Sequence, residues 1–158
     1  MFPKKILAVV LLLMMAQLTF AQVSNSFFEK MKTFKGAELM DFDEEMMALF
    51  RAVAGDNEVS KAMMDKTKSM KILTIDIENT SAALSTARAE TAKLEKAGMT
   101  KLNDVKDAQE GFTYILKKGS TITEFFFWVY DNEYGFCAMQ MVGTYQEDEL
   151  DKLKEMAN

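Results

Sequence analysis

Three groups of side chains in this 158-residue sequence have types and spacing suited to chemistry. The first is Glu124, set in the run Thr123-Glu124-Phe125-Phe126-Phe127-Trp128-Val129-Tyr130. Side chains alternate along an extended strand, so Glu124, Phe126, Trp128 and Tyr130 share one face. A carboxylate among aromatic rings loses solvation, which raises its pKa and suits it to acid–base work. Hydrolysis by carboxylates ordinarily takes a second carboxylate, and the sequence identifies no partner for Glu124. A solvated glutamate near the sheet edge accounts for it more simply. The aromatic face itself reads as core, or as a surface that meets a partner or ligand.

Cys137, Met139 and Met141 alternate along a second strand, a set of soft sulfur ligands suited to Cu(I). Successive same-face residues stand roughly 6.5–7 Å apart, too far for easy convergence on one ion. Methionine also fills cores, and 11 of the 14 methionines lie beyond residue 21. The third group, Asp41, Asp43, Glu44 and Glu45, offers oxygen ligands for calcium. It lacks the alternation and the glycine of a calcium-binding loop, and acids that cap a helix explain it better. No catalytic residue and no cofactor is assigned.

Composition narrows the chemistry. Histidine is absent, which removes Ser-His-Asp and Cys-His catalysis and His-containing zinc sites. The single cysteine allows no internal disulfide. Acidic residues outnumber basic ones 24 to 19, and no basic cluster offers itself to nucleic acid.

The first residues read as an export signal. Lys4 and Lys5 precede the apolar run from Ile6 to Met15, and Thr19-Phe20-Ala21 places small residues before Gln22. A spanning helix needs about 20 apolar residues, and this run meets Gln17 too early. Residues 1–21 are therefore expected to be cleaved, leaving residues 22–158 as one domain, periplasmic or secreted. Loss of Lys4 and Lys5 takes its net charge from −5 to −7. The reduced thiol of Cys137 fits that compartment if it is buried, as its apolar strand suggests.

The elements that position these groups follow from periodicity and punctuation. Ser26-x-x-Glu29 looks like a capping box for a helix carrying Phe27, Met31 and Phe34, ended by Gly36. Residues 37–42 read as a short strand, and Asp43 caps a helix with Met46, Met47, Phe50, Val53 and Ala54 in one stripe. Gly55-Asp56-Asn57 breaks it before a short helix over 59–66. A strand over 70–77 leads through Asn79-Thr80-Ser81 into an alanine-rich helix with Leu84, Ala87, Thr91 and Leu94 inward, closed by Gly98. Strands over 101–106, 112–117, 121–130 and 134–142 follow, with Lys118-Gly119-Ser120 as one turn. Thr144-x-x-Glu147 opens a last helix with Leu150 and Leu153 inward. The fold class expected is α+β: a mainly antiparallel sheet of four to six strands, helices packed on it, and a C-terminal helix.

The stretch Met70-Lys71-Ile72-Leu73-Thr74, the helix after it, and Ile122-Thr123-Glu124-Phe125-Phe126 with Gly143-Thr144 and Leu150 resemble the exported bacterial proteins called domain of unknown function 4252. Phe27-Phe28-x-x-Met31 and the segment from Phe42 to Phe50 are similar to that family's N-terminal part. The resemblance implies neither an activity nor catalytic residues. Many members look like lipoproteins, and this chain has no cysteine at the expected cut. The reading that results is a non-enzymatic binding or regulatory domain with a protein partner or a second copy on an apolar sheet or helix face. The alternatives are a soft-metal carrier on Cys137, Met139 and Met141, and a carboxylate enzyme on Glu124.

Overall fold

The structure, a computed structural model, describes residues 23–53, 58–104 and 108–156. The expected export signal and the Gly55-Asp56-Asn57 break lie outside the described residues. The elements are α1 (Asn25–Met31), β1 (Ala37–Phe42), α2 (Glu44–Val53), α3 (Glu58–Lys66), β2 (Thr67–Ile75), α4 (Ile77–Lys96), β3 (Thr100–Asp104), β4 (Glu110–Lys118), β5 (Thr121–Asp131), β6 (Gly135–Gln146) and α5 (Glu147–Met156). The six strands form one antiparallel sheet in the order β1-β2-β6-β5-β4-β3. The expected α+β architecture with its C-terminal helix is what the chain adopts.

β5 is apolar on both faces and sits inside the sheet, where both faces can be covered. Over one face lie α1 and α4, which bury Phe27, Phe28, Met31, Ala83, Ala87 and Leu94 against Leu73, Ile75, Phe126, Trp128 and Phe136. Phe126 takes Phe27 edge-on at 4.8 Å and Phe28 at 5.9 Å. The indole N–H of Trp128 donates to Thr91 Oγ1 at 2.8 Å, so the one buried indole keeps its hydrogen bond. At one end of the other face, Met63 of α3 and Leu150 of α5 close over Ile115, Ile122 and Tyr145.

A bulge at Thr123 decides which β5 residues reach which core. The register shifts between Leu116 and Lys117 toward β4, and between Ile122 and Glu124 toward β6. Plain alternation would put Ile122 and Glu124 on one face. The extra residue sends Ile122 to the Tyr145 cluster and leaves Glu124 beside Phe126.

Several boundaries differ from the sequence reading, each for a local reason. α1 begins at Asn25 rather than after Ser26, and no side chain caps it, because the Ser24 hydroxyl bonds Glu124 instead. β2 stops at Ile75 because Asp76 accepts from the Asn79 amide and caps α4. α4 ends in a Schellman turn, with Gly98 at φ +103° and the Met99 amide donating to the Leu94 carbonyl. β6 runs on to Gln146, so the last helix is capped by Glu149 reaching back to the Gln146 amide at 3.0 Å, not by Thr144. The expected apolar stripe of α2 is only partly covered: Met47 is buried, whereas Met46 and Phe50 are 45% and 43% exposed.

Gly135 has φ +91°, and a Cβ there would lie 2.5 Å from the Ile75 carbonyl oxygen. Gly135→Ala should cost about 2–4 kcal/mol in denaturant unfolding, combining a left-handed backbone with displaced neighbours. Gly119→Ala, at φ +65° with nothing within 4 Å, should cost only the backbone part. Burial pushes the Tyr145 phenol up to about 12, opposed by its hydrogen bond with Thr67. The unfolded phenol titrates near about 10, so this stability is whole below that pH and is lost as pH rises toward the folded value. Alkaline unfolding should show the loss, and Tyr145→Phe should flatten it.

Candidate functional site

Glu124 is 1% exposed and sits between β4 and β6, beneath α1. That overturns the solvated, edge-of-sheet glutamate expected from the sequence. A buried carboxylate requires donors, and the chain supplies them from 100 residues away. The Val23 amide donates to Oε2 at 2.9 Å and the Ser24 amide to Oε1 at 3.0 Å. The Ser24 hydroxyl adds a short bond to Oε1, and Gln140 Nε2 lies 3.1 Å from the same oxygen. Gln140 Nε2 also reaches Ser24 Oγ at 2.8 Å and Asn25 Oδ1 at 3.1 Å. Asn25 Oδ1 in turn accepts from Lys71 Nζ at 2.7 Å, so the ammonium reaches the network through one relay. With both oxygens bonded and the residue 1% exposed, Glu124 is arranged as an anchor.

Phe126 and Trp128 lie with Glu124 in the core under α1 and α4, each fully buried. Tyr130 is half-buried at the margin, and its hydroxyl donates to Asn132 Oδ1 at 2.7 Å. A partner reaching for this aromatic face would meet the helices first.

The opposite face is different. Register places Met40, Ile72, Met139, Phe127 and Thr113 side by side across five strands. Beyond them Glu38, Thr74, Cys137, Val129 and Gly111 form a parallel row. Ile72, Phe127, Val129, Cys137 and Met139 are half-buried and belong to neither core cluster. The row on the other side, with Met70, Met141, Phe125 and Ile115, is the one that closes: Met70 and Ile115 are 5% and 1% exposed. Met40, 47% exposed, extends the open region across β1. Phe50, 43% exposed, borders it from α2 through its ring contact with Phe42 at 6.0 Å.

Cys137, Met139 and Met141 do share this face, as alternation required. Cys137 is half-buried rather than fully buried, because no helix covers its row, and partial desolvation pushes its thiol pKa up. The acids near α2 do not converge: Asp43 caps the Met46 amide at 2.9 Å, and Asp41 lies opposite Lys71 on β2. Among the described residues no three His, Cys, Asp or Glu side chains are grouped to hold a metal ion. A shallow groove between α4 and β3–β4 carries Arg88 paired to Glu110 at 2.8 and 2.7 Å. That guanidinium holds the Glu110 carboxyl below its usual range.

Pairing, not local pattern, reveals the open face. β6 inserts between β2 and β5, and only that non-local order lines Ile72 and Met40 up with Met139 and Phe127. A family model described as a domain of unknown function, DUF4252, matches residues 28–153, and the chain belongs to that family. Neither the curated proteins nor the solved structures gave a match.

Glu124→Gln replaces an acceptor facing four donors with a group that is itself part donor. It should destabilise the domain by about 2–4 kcal/mol in urea unfolding. Hydrogen exchange at the Val23 and Ser24 amides should accelerate more than exchange in β3. Unchanged stability would remove the anchoring role.

Proposed function

We propose that this member of the family is an exported, non-enzymatic binding domain whose working surface is the open sheet face together with the outer side of α2. One observation carries the reading. Ile72, Phe127, Val129 and Met139 form a contiguous apolar region outside both cores, continued by Met40 across β1 and bordered by Phe50 of α2. Contiguous apolar surface of this kind marks a place where another molecule sits. Methionines in the patch supply side chains that adapt to the contour of what binds. The buried and fully bonded state of Glu124 favours binding over carboxylate catalysis.

Export is read from Lys4 and Lys5, the apolar run and Ala21. Among the described residues no helix is long and apolar enough to cross a membrane. The protein recovered outside the cytoplasm should have the mass of a chain beginning at Gln22; recovery of full-length chain in the cytoplasm alone would remove the export reading.

Binding is tested in the producing cells. A photo-crosslinking residue in place of Phe127 or Met139 should yield one discrete adduct. The same residue in place of Asn132, in the β5–β6 turn, should not. Failure of both open-face positions to capture anything would overturn the reading.

A further inference from the structure

From the border of the open face we infer the chemistry of its occupant: an amphipathic helix of a partner protein, apolar along one stripe and basic along its flanks. The inference rests on the binding reading above and adds the partner's shape and charge.

Shape comes first. α1 and α4 cover the other face of the sheet, and α2 already lies against β1 and β2 on this one. The uncovered rows on β2, β6 and β5 continue beside α2, which leaves the place of one more helix in the layer. A helix filling it lies with its apolar side on Ile72, Met139 and Phe127, completing the two-sided covering that a sheet apolar on both faces requires. Phe50, whose ring meets Phe42 on this face, stands at its side as the flank of α2.

Charge selects the partner. Glu38 points onto the open face, since its neighbours Ala37 and Leu39 pack into the core on the other side. Asp43, Glu44 and Glu45 stand exposed at the start of α2. Asp131 lies at the opposite end of the same face and accepts from the Glu133 amide at 2.7 Å. Among the described residues no lysine or arginine holds a place in the two open rows, and several nearby are committed. Arg51 turns inward, with Nε donating to the Met64 carbonyl at 2.9 Å and Nη2 to the Thr67 carbonyl at 2.5 Å. Lys66 and Lys117 pair with Glu149 and Glu147 of α5. Lys61 on α3 and Lys68 at the start of β2 are exposed, and neither holds a register position in the open rows of Ile72 and Thr74. An apolar floor with an acidic border is complementary to a cationic amphipathic helix. The same border repels a second copy of itself, and it repels an anionic lipid surface.

Three synthetic peptides of about 18 residues, long enough for five helical turns, test this. They share one Leu/Ala stripe and carry Lys, Gln or Glu on the flanks. Each is titrated into the processed protein, labelled with 15N, with amide shifts as the readout. The Lys peptide is expected to bind at least about tenfold more tightly than the Glu peptide, as steering by charge requires. It should shift Ile72, Phe127 and Met139, and weaken as salt rises from about 50 to 500 mM. Glu38→Lys with Glu45→Lys, both at exposed positions, should abolish the preference and leave the melting temperature in place. Equal binding of the three peptides at the same amides would overturn the charge assignment and leave the binding reading standing. Binding by none overturns the helix assignment, and the crosslinking experiment then decides separately whether the face binds anything. Concentration-dependent shifts of these amides without peptide, removed by Met139→Lys, would identify a second copy and overturn the proposal.

Discussion

A carboxyl group buried in an apolar sheet has to be given hydrogen bonds, and in this domain that requirement organises the N-terminal third. Glu124 lies in a central strand with phenylalanine and tryptophan beside it, so water cannot solvate it there. The donors come from Val23, Ser24 and Gln140, and the first two stand at the opposite end of the sequence. Holding those two amides fixes where α1 starts, and therefore which residues it lowers onto the sheet. Phe27, Phe28 and Met31 then fall onto Phe126 and its neighbours. Polar anchoring and aromatic packing are thus one structural event, with direction supplied by the hydrogen bonds and most of the buried area by the rings.

The two faces of the sheet are treated unequally. One carries the larger core, covered by α1 and α4. The other is closed at one end, where Met63 and Leu150 meet Tyr145, and its remaining rows keep apolar side chains half in view. The bulge at Thr123 makes both arrangements possible at once. It lets β5 give Ile122 to the small cluster and Glu124 to the large one without a break in the strand.

Much of this was legible in the residues. Alternation placed Glu124 with Phe126 and Trp128, and Cys137 with Met139, on the correct shared faces. The spacing of Leu84, Ala87, Thr91 and Leu94 gave the buried side of α4, and Gly98 its end. What escaped was non-local. A solvated Glu124 was expected because its donors lie 100 residues away and none is a charged partner that spacing would reveal. The α2 stripe was legible as apolar but its partial exposure was not, because amphipathic spacing says which side is apolar, not whether anything covers it. The covered state of the aromatic face and the open state of the methionine face could not be told apart in the sequence. Both read as apolar alternation, and the difference is made by which face the helices choose.

Val23 enters the domain on the face that α1 and α4 cover, pinned there by a carboxylate in the centre of the sheet. Cleavage after Ala21 would leave Val23 and Ser24 as the second and third residues of the mature chain, so the position of the cut decides whether Glu124 keeps its two amide donors.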